Sequence, residues 1–370
     1  MASPQLRMVV KLGTSTLTGG AKKLSHPNLV DIVRQIAALR DKNIQVVVVS
    51  SGAVAAGRQE LGFPAFPKHE PIKQMLAAVG QPRLMAYYEQ YFAIYGTHVA
   101  QVLLTRNDLT DRRGFLNARN TLETLIKHNI IPIINENDTI TTEEIRIGDN
   151  DNLSAHVANL IEADELILLT DQDGLYTTDP RNNPDARLIE EVGAEPFTAE
   201  LWQSAGGTST GLGTGGMMTK LQAADLARHG GTTVVIARGS EPNVLIRLTA
   251  GEKLGTRILP TVNKLEGRKR HILSSARATN EILIDEGAAR ALTHGGSLLS
   301  AGMTQVKGDF DRGDAVRILS PNGIVIAVGL SNYPSDDLVK LCGRQSSDIE
   351  SVLGYLTADE IIHRNNMVLM

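Results

Sequence analysis

The sequence predicts an α/β fold built on a mostly parallel sheet with helices on both faces, followed by a small β-rich module. Three observations carry this. Short β-branched runs recur along the first two thirds of the chain. Helical patterns separate most of them, and the strand-like runs are almost continuously apolar rather than alternating. Strands of a parallel sheet are buried on both faces and joined by long crossovers, so they read in this way.

In order, Met8–Leu12 is a first strand and Gln45–Ser50 a second. Between them, Asn28–Asp41 carries Leu29, Ile32, Val33, Ile36 and Leu39 at three-to-four spacing, the stripe of an amphipathic helix. His98–Leu104, Ile130–Ile134, Glu165–Leu169 and Thr233–Ala237 are the next strands. The pattern changes near Arg257. The polar stretch 263–271 holds five basic residues and reads as a linker. Beyond it, glycines punctuate strands at Glu281–Asp285, Ala315–Leu319 and Gly323–Gly329, with one or two short helices expected among them. The expected division is a first domain over 1–262, a linker over 263–277, and a β-rich domain with its tail over 278–370.

Composition narrows the class. With 370 residues, 42% hydrophobic and 21% charged, the chain is an ordinary globular protein long enough for two domains. Lys and Arg number 37 against 41 Asp and Glu, a net charge of −4, which gives no bulk attraction to nucleic acid or an anionic membrane. The single cysteine, Cys342, excludes an intrachain disulfide and a thiolate metal cluster, and reads as a packed small residue. The first residues lack the apolar core of a secretory signal, and no run approaches the ~20 apolar residues of a membrane span. A cytoplasmic location is expected.

Ligands of open α/β sheets sit at the carboxyl ends of the strands. The polar residues there are Gly13-Thr14-Ser15, Ser50-Ser51-Gly52, Asn135-Glu136-Asn137-Asp138 and Thr170-Asp171. The strongest local signal is Gly213–Lys220, GTGGMMTK, directly before the helical LQAADLA. Small residues let backbone N–H groups and a helix N-terminus approach phosphate oxygens, and a first-turn lysine adds a cation. A mobile surface loop is the bland alternative. The overlapping GxGxxG at 211–216 follows polar SAGGTST rather than a strand, so the dinucleotide reading fails its context, and no GxxxxGK[ST] occurs. Lys11 ends an apolar strand, where an ammonium is costly unless it reaches a partner such as a phosphate; a lysine reaching the surface is the alternative. The runs 135–138 and 148–152 supply amides and carboxylates able to hold an amino acid, against ordinary turn chemistry. The nine histidines show no metal-ligand spacing, and Trp202 reads as core or rim.

Taken in order, VVKLGTSTLT, VVVVSSGAVAAG, INENDTI, IGDNDNLSA, LLTDQDGLYTTDPR and GLGTGGMMTKLQAA resemble the amino acid kinase family in its glutamate 5-kinase branch. The tail, GSLLSAGMTQVKGDFDRGDAVRIL with GIVIAVGLSNY, resembles a PUA domain. The resemblance implies an αβα sandwich, ATP with Mg²⁺, and phosphorylation of the L-glutamate side chain as the first step of proline biosynthesis. It assigns Lys11 and Lys220 to the transferring phosphoryl group and Asp151 to orienting them. Ser51, Asp138 and Asn150 match glutamate-binding positions. Lys11, Thr170, Asp171, Thr214, Gly215, Gly216, Met217, Met218, Thr219 and Lys220 match ATP-binding ones. It further implies feedback inhibition by proline and a homo-oligomer. No metal ligand is assigned to the protein itself.

The chemistry agrees with that set. A glutamate carboxylate, with pKa about 4.3, is already an anion at neutral pH, so no general base is required and cations must screen its approach to a triphosphate. The acyl phosphate is labile in water, which makes hand-off to glutamyl phosphate reductase a reasonable expectation. Alternative acceptors within the family are acetylglutamate, aspartate and uridylate. RNA binding by the tail is the alternative from another class. Between 278 and 355, acidic residues outnumber basic ones by ten to six, which suits RNA poorly.

Overall fold

A computed structural model describes residues 5–62, 69–140, 150–206, 216–263 and 279–370. The chain divides into two compact units, 1–109 with 119–264 and 110–118 with 265–370.

The first unit is organised by an eight-stranded sheet of order β3-β4-β2-β1-β5-β7-β8-β6. Its strands are β1 (Arg7–Leu12), β2 (Gln45–Ser50), β3 (Val99–Leu104), β4 (Ile131–Glu136), β5 (Glu165–Thr170), β6 (Glu191–Val192), β7 (Thr233–Arg238) and β8 (Thr256–Ile258). Every pair is parallel except β7–β8. The central strand β1 pairs with β2 through Leu12↔Ser50 and with β5 through Leu12↔Leu169. That register brings three polar strand ends, 13–15, 50–52 and 170–171, side by side.

The helices of this part of the chain are α1 (Thr14–Thr18), α2 (His26–Asp41), α3 (Ala53–Glu60), α4 (Glu70–Ala93), α5 (Arg106–Thr110), α6 (Arg112–Lys127), α7 (Asn150–Leu160), α8 (Ala199–Ser204), α9 (Met217–His229) and α10 (Val244–Thr249), with residues 110–118 of α5 and α6 belonging to the second unit. Helix α2 starts two residues earlier than the apolar stripe predicts. Ser25 caps it by accepting the Asn28 N–H, and Pro27 sits in the first turn, where its missing N–H costs nothing. The predicted face is the buried one: Leu29, Ile32, Val33, Ile36 and Leu39 pack against Val10, Leu12, Val46 and Val48. Helices α3 and α4 touch backbone to backbone. A Cβ on Gly57 would lie 1.9 Å from the Leu76 carbonyl oxygen, and one on Gly80 would lie 1.8 Å from that of Ala53.

The second unit carries a five-stranded sheet of order β10-β9-β11-β12-β13. Its strands are β9 (Glu281–Ile284), β10 (Met303–Lys307), β11 (Ala315–Leu319), β12 (Val325–Leu330) and β13 (Met367–Leu369). All pairs are antiparallel except β9–β11. The expected strand from Gly323 starts at Val325 instead, because Ser320 and Ile324 close a turn in which Gly323 has φ +76°. Among the described residues three helices, α11 (Glu286–Thr293), α12 (Ser335–Leu341) and α13 (Ile349–Leu353), stand where one or two were expected. The core joins Ile282, Ile284, Val316 and Ile318 to Tyr333, Leu338 and Ile362, and Cys342 packs against it. Burial pushes the Cys342 thiol up, as for a packed rather than a reactive residue. Among the described residues no helix is long and apolar enough to cross a membrane.

Candidate active site

Three elements deliver charge to one point. Strand β1 carries Lys11 next to its last residue, α7 begins with Asn150 and Asp151, and α9 carries Thr219 and Lys220 in its first turn. Asp151 is 0% exposed. Its Oδ1 lies 2.5 Å from Lys11 Nζ, and its Oδ2 lies 3.2 Å from Lys220 Nζ. Thr219 Oγ1 stands 2.9 Å from the same Oδ2 and 2.9 Å from the Gly216 carbonyl oxygen. Lys11 is 3% and Lys220 8% exposed. A first-turn carboxylate is favoured by the partial positive charge at a helix N-terminus. The carboxylate therefore spans two ammonium groups from distant parts of the sequence.

Small residues leave room beside this cluster. A Cβ on Gly13 would lie 3.7 Å from Lys11 Nζ and 3.4 Å from the Leu169 carbonyl oxygen. Gly216 enters α9 with φ +75°, a conformation that L side chains rarely adopt. Thr214 and Gly215 lie outside the described residues. Met218 is buried with Leu175 and Leu221, and Met217 packs against the same cluster. Thr170, at the end of β5, donates its hydroxyl to Asp171 Oδ1 at 3.0 Å. In the loop that follows, Asp173 accepts from Arg238 Nε at 2.5 Å and from the Tyr176 hydroxyl at 2.8 Å. Those two bonds, Arg238 first, hold the Asp173 carboxyl below the usual range.

A second polar group adjoins the first through the neighbouring residue of α7. Asn150 Nδ2 reaches Ser51 Oγ at 2.9 Å, the Ser50 carbonyl at 3.1 Å and Asn135 Oδ1 at 2.9 Å. The buried Ser50 hydroxyl meets the Tyr88 hydroxyl at 2.8 Å. Burial drives the Tyr88 pKa well above its ordinary value, so it remains a neutral phenol. Asp138, two residues past β4, makes no hydrogen bond to Ser51 or Asn150 among the described residues. Its pKa is raised, first by burial, with Lys73 of α4 pulling it down and Glu70 pushing it up. Sequence reasoning passed over Tyr88, Lys73 and Arg238. Each is separated in sequence from the polar groups it serves and carries no local motif. Among the described residues no group of three His, Cys, Asp or Glu is placed to hold a metal.

This arrangement sits on the fold of a small-molecule kinase. The amino acid kinase family model matches residues 6–238, and a PUA domain model matches 280–353. The chain belongs to the amino acid kinase family and, within it, to the glutamate 5-kinases. The glutamate 5-kinase of Photobacterium profundum is 52% identical over 368 residues, covering 99% of this chain and 97% of the relative. That of Deinococcus radiodurans is 50% identical over 366 residues, covering 99% of this chain and all of the relative. Among solved structures, carbamate kinase from Giardia lamblia bound to AMP-PNP shares the fold, with a TM-score of 0.52 at 18% identity, covering 70% of this chain and 99% of that one.

Proposed function

We propose that the chain transfers the γ-phosphoryl group of ATP to the side-chain carboxylate of L-glutamate, forming L-glutamyl 5-phosphate, the first step of proline biosynthesis, at the carboxyl edge of the large sheet. The carrying observation is the pair of ammonium groups on one buried carboxylate. An anionic nucleophile needs no base, and its approach to a triphosphate is opposed by charge. Phosphoryl transfer is governed by positioning and electrostatic stabilisation of the transferring group. Lys11 and Lys220 supply the stabilising cations, and Asp151 fixes both. Thr170, Asp171 and the segment 214–220 are the nucleotide side of this reading; Ser51, Asn150 and Asp138 are the glutamate side.

Mg²⁺ fits this donor set as an ion carried by the nucleotide. It commonly binds through one or two carboxylates together with substrate phosphates rather than in an all-protein cage. Asp171, which accepts from the Thr170 hydroxyl, is a carboxylate on the nucleotide side of this reading that could serve it. When bound, the ion neutralises charge on the phosphate oxygens.

An assay with ATP and L-glutamate, trapping the acyl phosphate as a hydroxamate, tests the function. Acetylglutamate, aspartate and UMP serve as competing acceptors, with ADP release as the common readout because UDP is not an acyl phosphate. Preference for any of these over glutamate would overturn the proposal. The same reading extends to chemistry within 1–262, a β-rich unit over 278–370 with no role in RNA binding, and a cytoplasmic homo-oligomer. It extends also to proline as feedback inhibitor and to hand-off of the labile product to a reductase. Adding proline to the hydroxamate assay tests the inhibition.

A further inference from the structure

Arg228 is a buried guanidinium that the proposed phosphoryl transfer does not use. It stands in the last turn of α9 and is 0% exposed. Its Nη2 donates to the Ala194 carbonyl at 2.5 Å and to the Glu195 carbonyl at 2.6 Å. Its Cζ lies 4.4 Å from the centroid of the Phe197 ring, as in a cation–π contact. Nε and Nη1 have no hydrogen-bond partner among the described residues. Burying a cation with donors unanswered is unfavourable, and an apolar side chain of similar volume would fill the same space without that penalty. What the contacts of Arg228 hold in place is the approach to α8. Residues 194–196 and 198–200 are exposed, and no residue of α8 is fully buried. A helix of six residues has little stability of its own, so tertiary contacts set its place.

Those contacts all lead to α9. Arg228 ties the carbonyls of residues 194 and 195 and lies over Phe197. Phe197, Leu201 and Trp202 pack against a buried cluster that includes Met218 and Leu221, and Met217 packs there too. The Phe197 and Trp202 rings meet edge to face, 5.6 Å apart. Arg228 is itself fixed, since its carbonyl accepts from the Thr261 N–H at 3.1 Å. Met217 and Met218 open α9, directly before Thr219 and Lys220. We infer that Arg228 is a positioning residue for the nucleotide: it locks the 194–204 leg against α9, and Phe197 and Trp202 on that leg seat the first turn of the helix at Met217 and Met218. This rests on the assignment of the segment 214–220 to ATP made above. Lys220 has its own support in Asp151, so the seat acts on nucleotide binding more than on the transfer step.

Trp202 is the only tryptophan of the chain, so its emission reads this seat directly. In the full-length wild type, ATP added without glutamate is expected to change that emission saturably. Arg228→Met keeps the bulk and removes the donors to both carbonyls. It is expected to raise the midpoint of the titration and the KM for ATP together by about tenfold. Its kcat is expected to stay within about threefold and its KM for glutamate within about twofold, the split of a residue that acts on one substrate. Arg228→Lys keeps a cation without the planar fork and is expected to raise the ATP midpoint by about threefold. A folded Arg228→Met with an unchanged ATP midpoint, or with both KM values raised equally, would overturn the inference, as would a wild-type emission indifferent to ATP. A wild type that binds ATP but is inactive on glutamate would overturn the kinase reading and leave the seat standing. Should Arg228→Met fail to fold, Phe197→Leu, which removes the ring under the guanidinium, is expected to raise the same midpoint by about threefold, and no change there also overturns the inference.

Discussion

The two ends of strand β1 use charge in opposite ways. At the amino end, Arg7 meets Glu123 through both terminal guanidinium nitrogens, at 2.6 and 3.1 Å, and also reaches Gln45 and the Ile161 carbonyl. Its partner is 28% exposed. Nearby strand ends repeat the pattern one to one, with Arg257 on Glu165 at 2.9 Å. At the carboxyl end, two lysines share the single carboxylate of Asp151, in near-complete exclusion from water. Matched, water-touched pairs contribute little and are replaceable. A buried carboxylate spanning two cations is expensive to assemble, which marks it as the candidate site. The difference between the ends of one strand thus separates scaffold from candidate site.

The largest test of this contrast is Asp151→Asn against Glu123→Gln. Losing Asp151 leaves two ammonium groups buried without their shared anion. It is expected to cost about 3–5 kcal/mol of stability together with most activity. Glu123→Gln is expected to cost under about 1 kcal/mol and to leave kcat within about twofold. Thermal unfolding and the hydroxamate rate measure both. Similar losses at the two ends would erase the distinction. Next in size, Lys11→Ala and Lys220→Ala are each expected to lower kcat by about 10²–10³, as when a single stabilising donor is removed from a developing charge. A near-normal kcat in either variant removes that lysine from the chemistry.

The same contrast explains how much could be read in advance. The sheet was legible because β1, β2, β5 and β7 are buried on both faces, and unbroken apolar runs such as QVVVVS admit few other readings. Lys11 was legible as an anomaly, a charge in an apolar strand. The short edge strands β6 and β8 were not, since Glu191-Val192 and Thr256–Ile258 are too brief to show a period. Strand β4 runs two residues past the expected end because Asn135, polar in sequence, is buried and satisfied by Gln81, Glu136 and Asn150. That satisfaction is tertiary, and so is the placement of Gln81 on a helix that runs on through Pro82. Strand ends could be found from local pattern; the supports behind the site came only with packing.

The finest test concerns Asp138, whose pKa is raised mainly by burial, while Lys73 opposes the shift and Glu70 adds to it. The sign for stability follows from linkage. A carboxyl with a folded pKa above its unfolded value penalises folding as pH rises through that interval, and no penalty is present below it. For binding the sign is opposite. On the proposed glutamate side, an ionised Asp138 would pair with the substrate ammonium, so kcat/KM for glutamate is expected to fall as pH drops through the raised pKa. Lys73→Met removes the opposing cation and is expected to move this acid limb to higher pH. Glu70→Gln is expected to move it to lower pH, and Asp138→Asn to abolish it, all with little change in KM for ATP. Each neighbour is expected to shift the limb by under about one pH unit, since Lys73 is largely exposed and screened. Shifts of the same sign in Lys73→Met and Glu70→Gln would detach Asp138 from the limb.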